Sequence, residues 1–453
     1  MTALPFLLLA LAAPAPEVLD PGVAGLVAAV DAARLRASVE RLAAFGTRHT
    51  LSDTVSQTRG IGAARRWLAA EVAGLAAAPG SRLRPFEDEF TAEPGPRIPR
   101  PVEIANVGAI LPGTDPARAK EAIVLTGHYD SRANDILDAT GDAPGAVDDA
   151  SGTALVLELA RVMARERPAV SVYYVAVAGE EQGLIGSAHL ARRLKEEGIR
   201  VLAMVAFDIV GNTAGQDGVH EDVTARLFSE GVSPKETDAQ RKLREALGGE
   251  NDGASREWAR YLKRVGERYV EGLDLWVMLR QDRIARGSDH MAFTHEGFPG
   301  IRVTDTHEDW DRQHQLPRTE GGRRYGDEPA FFDAPYAAKL GRAVLASVAT
   351  LAAAPAPPRE LVLGGALSPD AQLGVVLPAD ARIAGLVVYR RRADQVAWER
   401  AIRLAPADRI VLPGVVADSW VLAVATVDAK GAESLPLYPT RLGEVPAPAG
   451  GKR

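Results

Sequence analysis

The chain has 453 residues, with 53 Lys and Arg against 60 Asp and Glu and a formal charge of -7, so neither nucleic acid nor an anionic membrane is an expected partner. Hydrophobic content of 46% and charged content of 25% belong to a folded globular chain rather than a disordered one. There are no cysteines, which excludes disulfide frameworks, thiolate metal sites and cysteine nucleophiles together, and leaves His, Asp and Glu to hold any metal.

Residues 1–15 read as an export leader: an apolar stretch over 4–13 precedes small residues and prolines, with cleavage expected near Ala13 or Ala15, although no Lys or Arg stands before it. A secreted or periplasmic location is the expectation. No segment reaches the ~18 uninterrupted apolar residues of a membrane-spanning helix. Apolar residues then recur at three and four through Val30, Leu35, Val39 and Leu42, and again through Ile61, Trp67, Leu68 and Val72, predicting two surface helices over 22–80. After a proline-rich passage at 94–101 come strand-like segments ending at Ile110, then the apolar run 122–126, suited to a strand buried on both faces. Helix is predicted over 151–165, with Asp149 and Ser151 as cap candidates, strand over 170–178, helix over 186–197 and strand over 201–207. This alternation predicts an α/β fold with a mixed, mostly parallel central sheet flanked by helices, forming one catalytic domain over 16–351.

Charged stretches at 237–247 and 255–267 predict helices inside an insertion at 211–286, and the core resumes at Gly300-Ile-Arg-Val303. A last helix over 337–351 runs into a Pro/Ala linker at 352–360. Short alternating segments at 386–390, 410–412 and 420–426, set between Gly, Pro and Asp turns, predict a small all-β sandwich over 361–445 with a tail at 446–453. The sandwich resembles fibronectin type III modules, chiefly in Gly385-Leu-Val-Val-Tyr-Arg-Arg391 and in the stretch 424–434. Substrate, cell surface and catalytic domain are all open as its contact.

Chemistry gathers at four places. Thr126-Gly-His-Tyr-Asp130 ends a buried strand with His128 and Asp130 two residues apart, hence on one side, where Asp130 can orient a metal-binding imidazole; a histidine merely satisfied at a strand end is the plainer reading of this motif alone. Gly145-Ala-Val-Asp-Asp-Ala-Ser-Gly152 sets two acids at a helix start, where capping competes with metal binding as the explanation. Ala178-Gly-Glu-Glu-Gln-Gly-Leu-Ile-Gly-Ser187 presents two carboxylates at the carboxyl end of a strand, where open α/β sheets bind ligands. One Glu can ligate a metal while its neighbour takes a proton from water acidified by that metal. Ala206-Phe-Asp-Ile-Val-Gly-Asn212 adds a further acid at a strand end.

On these motifs, supported by Phe45-Gly-Thr-Arg-His49 and the stretch 104–113, residues 41–351 resemble the M28 family of zinc aminopeptidases, of the secreted bacterial type. The resemblance implies two zinc ions, with His128 and Asp208 on the first, Glu181 on the second, Asp148 bridging, Glu180 as general base and Asp130 orienting His128. Asp148 rather than Asp149 takes the bridge because it stands three residues before Ser151-Gly152, as in the family's loop. The family's late histidine falls in Thr306-His-Glu-Asp-Trp-Asp-Arg-Gln-His-Gln315, which offers His307 and His314, and His314 is the expected ligand of the second ion. Gly287-Ser-Asp-His-Met-Ala-Phe293 is similar to a stretch beside the family's pocket, so Asp289 and His290 are expected near the ligands without binding metal, and His49 at the pocket wall. The implied activity is removal of N-terminal residues from peptide substrates. A carboxypeptidase or dipeptidase, a glutaminyl cyclase of the same frame, and a non-catalytic binding ectodomain are the alternatives; His128 counts against the cyclase and the filled ligand positions against the ectodomain.

Overall fold

The computed structural model describes residues 19–445; the expected leader at 1–15 and tail at 446–453 lie outside them. Three helices come first, α1 (Pro21–Ala28), α2 (Ala32–Ala43) and α3 (Gly60–Ala77). The side chains of Asp20 and Asp31 cap the first two by accepting from backbone amides of Gly22 and Ala33. Leu35, Val39 and Leu42 of α2, with Ile61, Leu68 and Val72 of α3, form the buried faces that the periodicity predicts.

An antiparallel pair follows, β1 (Arg84–Ala92) and β2 (Val102–Leu111). Strand and helix then alternate through β3 (Glu121–His128), α4 (Ser151–Met163), β4 (Ser171–Val177), α5 (Ile185–Glu196) and β5 (Arg200–Phe207). Next come β6 (Thr224–Ser229), α6 (Asp238–Leu247), α7 (Ala254–Tyr269), β7 (Asp274–Met278), α8 (His290–His295) and β8 (Gly300–Thr304). A short hairpin, β9 (Arg318–Glu320) and β10 (Arg323–Tyr325), leads to the long buried α9 (Ala334–Ala353).

The main sheet has the order β1-β2-β4-β3-β5-β8-β6-β7. Its centre, β4, β3, β5 and β8, is parallel, while β2 and β6 join antiparallel on either side. The fold is therefore the mixed α/β sheet expected, flanked by helices, with central strands that are largely apolar runs apart from Arg302 in β8. Because the central strands run the same way, their carboxyl ends share one edge, and that edge carries the motifs.

The region expected as an insertion differs in kind. Two short strands within it, β6 and β7, extend the sheet, and α7 buries Trp258, Tyr261, Leu262 and Val265 while packing on α9. Only α6 is without buried residues. Such brief strands carry too little alternation to be read from sequence, and β1, though longer, was concealed by the charged residues of an edge strand.

Beyond α9, β11 (Glu360–Gly364), β12 (Ala371–Val376), β13 (Gly385–Arg392), β14 (Arg400–Leu404), β15 (Arg409–Leu412), β16 (Trp420–Val427) and β17 (Arg441–Leu442) form two sheets, β15-β12-β11-β17 and β14-β13-β16. Leu361 and Leu373 from one sheet share a core with Leu386, Val388, Leu422 and Val424 from the other. This sandwich docks on α7. Trp398 and Tyr438 donate to the Glu257 carboxylate at 3.1 and 2.6 Å, and Arg264 pairs with Glu433 at 3.0 Å. Among the described residues, no helix is long and apolar enough to cross a membrane.

Candidate metal centre

His128 is the last residue of β3, Asp208 follows β5 directly, and Glu180 and Glu181 stand just beyond β4. Asp148 lies in the loop ahead of α4, and His314 in the loop between β8 and β9. Six side chains meet there in two groups, His128 with Glu180 and Asp208, and Asp148 with Glu181 and His314; within each, one ligand atom per residue lies within 4.8 Å of the others. Asp148 faces both groups. Its Oδ1 is 3.2 Å from Nε2 of His128, and its Oδ2 is 3.0 Å from Nε2 of His314. Nε2 of His314 is also 2.9 Å from Oε1 of Glu181, and Nε2 of His128 is 4.0 Å from Oδ1 of Asp208.

Several residues hold these ligands. Arg48, fully buried, donates to the carbonyls of Tyr129 at 2.6 Å and Gly145 at 2.9 Å, pinning the loop that carries Asp148 to the end of β3. Asp327 accepts from the Val147 amide at 2.9 Å and the Asp148 amide at 2.7 Å. Asp149, joined to Asp148 by a cis peptide bond, turns away from the two groups and accepts from the amides of Gly152 at 2.9 Å and His128 at 3.0 Å, tying α4 to β3. Asp130 lies 3.7 Å from Nδ1 of His128 and accepts from the amides of Glu180 and Glu181 at 3.3 and 3.2 Å. Arg302 binds Oδ1 of Asp208 at 2.9 Å, and Arg132 binds Oε2 of Glu181 at 2.8 Å and reaches Nδ1 of His314 at 2.7 Å.

Burial raises the Glu180 carboxyl well above its ordinary value against the pull of His128, and the charges of Glu181 and Asp208 add to the rise. Burial alone would raise Asp148 too, but the adjacent His128 and His314 imidazoles hold it well below the usual carboxylate range. Asp289 is buried and pushed up by that burial to about 7.

The other histidines stand apart from the two groups. His307 pairs with Asp217 at 2.8 Å on the surface side of its loop, leaving His314 as the late histidine that meets Asp148. His290 contacts the Gln281 carbonyl at 2.8 Å, and His49 the Ile136 carbonyl at 3.0 Å. Arg132, Arg302 and Asp327 had not been singled out from sequence. One signal was available for Arg302: a lone arginine inside a buried strand requires a buried acid.

The donor set fits zinc. It is nitrogen and carboxylate oxygen, and the spacings between facing atoms, from 2.9 to 4.0 Å, straddle the roughly 3.3–3.5 Å expected of ligands ~2.0–2.2 Å from one tetrahedral ion. Nε2 of His128 and Oε1 of Glu181 are buried with no well-aligned hydrogen bond, and their nearest polar neighbours are other members of the two groups, as for atoms that share a cation.

Comparison with known proteins places this geometry in context. The model of peptidase family M28 matches residues 106–325, which include every residue of the two groups. The "Probable zinc metalloprotease" of Leptosphaeria maculans is 38% identical over 427 residues, 94% of this chain and 98% of its own. Among solved structures, the Legionella pneumophila LapA aminopeptidase superposes with a TM-score of 0.52 at 20% identity, covering 76% of this chain and 78% of that one. The Macrostomum lignano glutaminyl cyclase does so with a TM-score of 0.51 at 16% identity, covering 75% and 94%. At such identities the two structures speak for the fold alone.

Proposed function

The chain belongs to peptidase family M28 and is a zinc metallopeptidase, and from that premise we propose that it is a di-zinc exopeptidase removing N-terminal residues from peptides. The observation that carries the two-ion reading is the placement of Asp148, one carboxylate oxygen toward His128 and the other toward His314. His128, Asp148 and Asp208 would hold one ion, and Asp148, Glu181 and His314 the other. When bound, the ions acidify water and polarise the scissile carbonyl.

The side chains divide the remaining work. Glu180, just beyond β4 and with its carboxyl raised well above its ordinary value, takes the proton from the attacking water and returns it to the leaving amine. Asp130 fixes His128 and, through the amides of Glu180 and Glu181, the strand end that carries base and ligand together. A His128 that meets Asp148 and Asp208 favours a peptidase over a single-ion cyclase of the same frame. We read the C-terminal sandwich, with its paired sheets, as fibronectin type III-like, and the chain as exported.

A panel of aminoacyl nitroanilides beside N-terminally blocked peptides tests the activity. Release from the free-amine substrates, abolished by chelation and restored by zinc, is the expected result. Cleavage confined to the blocked peptides would overturn the aminopeptidase reading.

A further inference from the structure

His314 adopts a left-handed backbone with φ of 53°, unusual for a residue other than glycine, so its loop must be held by something besides local preference. Besides Arg132 on the imidazole itself, one anchor of the loop is Glu308, buried six residues earlier. Arg226 binds one carboxylate oxygen at 2.8 Å, while Arg283 at 2.8 Å and Arg286 at 3.2 Å bind the other. That second oxygen also accepts from Nε2 of Gln313 at 3.2 Å, and Arg286 donates to Oε1 of Gln313 at 3.2 Å. Glu308 and Arg286 therefore grip both ends of the amide next to His314. A separate chain of contacts, none of them made by Glu308, leads from Arg283 toward the other ion. Arg283 contacts Asp282 at 3.5 Å, Asp282 contacts Arg302 at 3.3 Å, and Arg302 holds Asp208 at 2.9 Å.

We infer that Glu308, clamped by Arg226, Arg283 and Arg286, is a positioning residue that presets His314 for the second metal ion. The inference rests on the two-ion reading above. Its electrostatics are consistent: burial would raise the Glu308 carboxyl, but Arg283 and Arg226 keep it down at about 2, so it stays a full charge able to hold three guanidinium groups. All three arginines come from the region 211–286 that supplies β6 and β7. That region would thus serve the centre as a brace.

The test uses the full chain in four forms: wild type, E308Q, R286M and His314→Ala. Zinc bound per chain is measured against a competing chelator, together with the melting temperature. The wild type should hold two ions. E308Q should keep the first ion at wild-type affinity and bind the second about 10–100-fold more weakly, with excess zinc restoring both the ion and turnover. R286M, which leaves two arginines on Glu308, should weaken the second ion by a few-fold, and His314→Ala defines complete loss of that site. Second-ion affinity within about twofold of wild type in both folded variants, or equal loss from both sites, would overturn the inference. If E308Q does not fold, R286M decides the matter alone. A wild-type chain with fewer than two ions would instead overturn the two-ion reading, and this one with it.

Discussion

Glu180 carries the least redundant task in the account, since no other side chain is assigned the proton. Glu180→Gln should retain zinc and the native melting temperature while turnover falls by about 10²–10⁴. Near-normal turnover would remove the base assignment. Glu308 offers a pH test independent of catalysis. Its carboxyl lies at about 2 in the folded chain against an ordinary 4.5, so its contribution to stability is complete above about 4.5 and is lost as pH falls through about 2. Melting temperatures recorded from about pH 6 to about pH 2 should drop more steeply for wild type than for E308Q, and parallel curves would contradict this. His128, Asp148, Glu180, Glu181 and Asp208 were legible in the sequence because they stand at the ends of recognisable strands or just ahead of a helix, whereas His314, in a loop, was chosen over His307 by resemblance alone. Their partners were not, because the contacts are remote: Arg302 and Asp208 are 94 residues apart, Arg132 and His314 182, and Asp327 and the Asp148 amide 179.

Among the elements, the join between β3 and α4 is tight and lies directly behind the ligands. A methyl group added at Gly127 would lie 2.4 Å from the Gly152 carbonyl carbon, because the end of the strand touches the start of the helix. Gly127→Ala should cost about 1–3 kcal/mol and loosen zinc, as His128 and the Asp148 loop are pushed apart. Gly25 of α1 meets nothing within 4 Å, and Gly25→Ala should be neutral or stabilise by up to ~1 kcal/mol, with zinc unchanged. Thermal melts and zinc content on both variants check the contrast; equal effects would mean that the strand–helix contact is not what places the ligands. Periodicity read these elements well where burial was two-sided, as in β3, β4 and β5, or one-sided over several turns, as in α2 and α3. It failed for β6 and β7, whose membership of the sheet depends on antiparallel pairing of β6 with β8 about 75 residues downstream.

At the scale of the whole molecule, the sandwich and the peptidase region are joined by buried charge. Glu257 and Arg260 of α7 find Trp398, Tyr438 and the Val396 carbonyl in the sandwich, and Arg264 finds Glu433. Ending the chain after residue 354 would strip Glu257, Arg260 and Arg264 of their partners in the sandwich, and a broken buried pair such as Arg264–Glu433 costs about 3–5 kcal/mol. The truncated chain should melt well below the full one and aggregate, with zinc failing to restore it; an unchanged melting temperature would show the sandwich to be an independent appendage. The two metal groups lie on the shared carboxyl edge of the parallel strands, and we hold that Asp148 joins them into one dinuclear centre. Zinc bound per folded chain, measured in wild type and in His314→Ala, addresses that claim most directly. Two ions are expected in the first and one in the second; a single ion in wild type, or two retained in His314→Ala, would contradict a centre joined by Asp148.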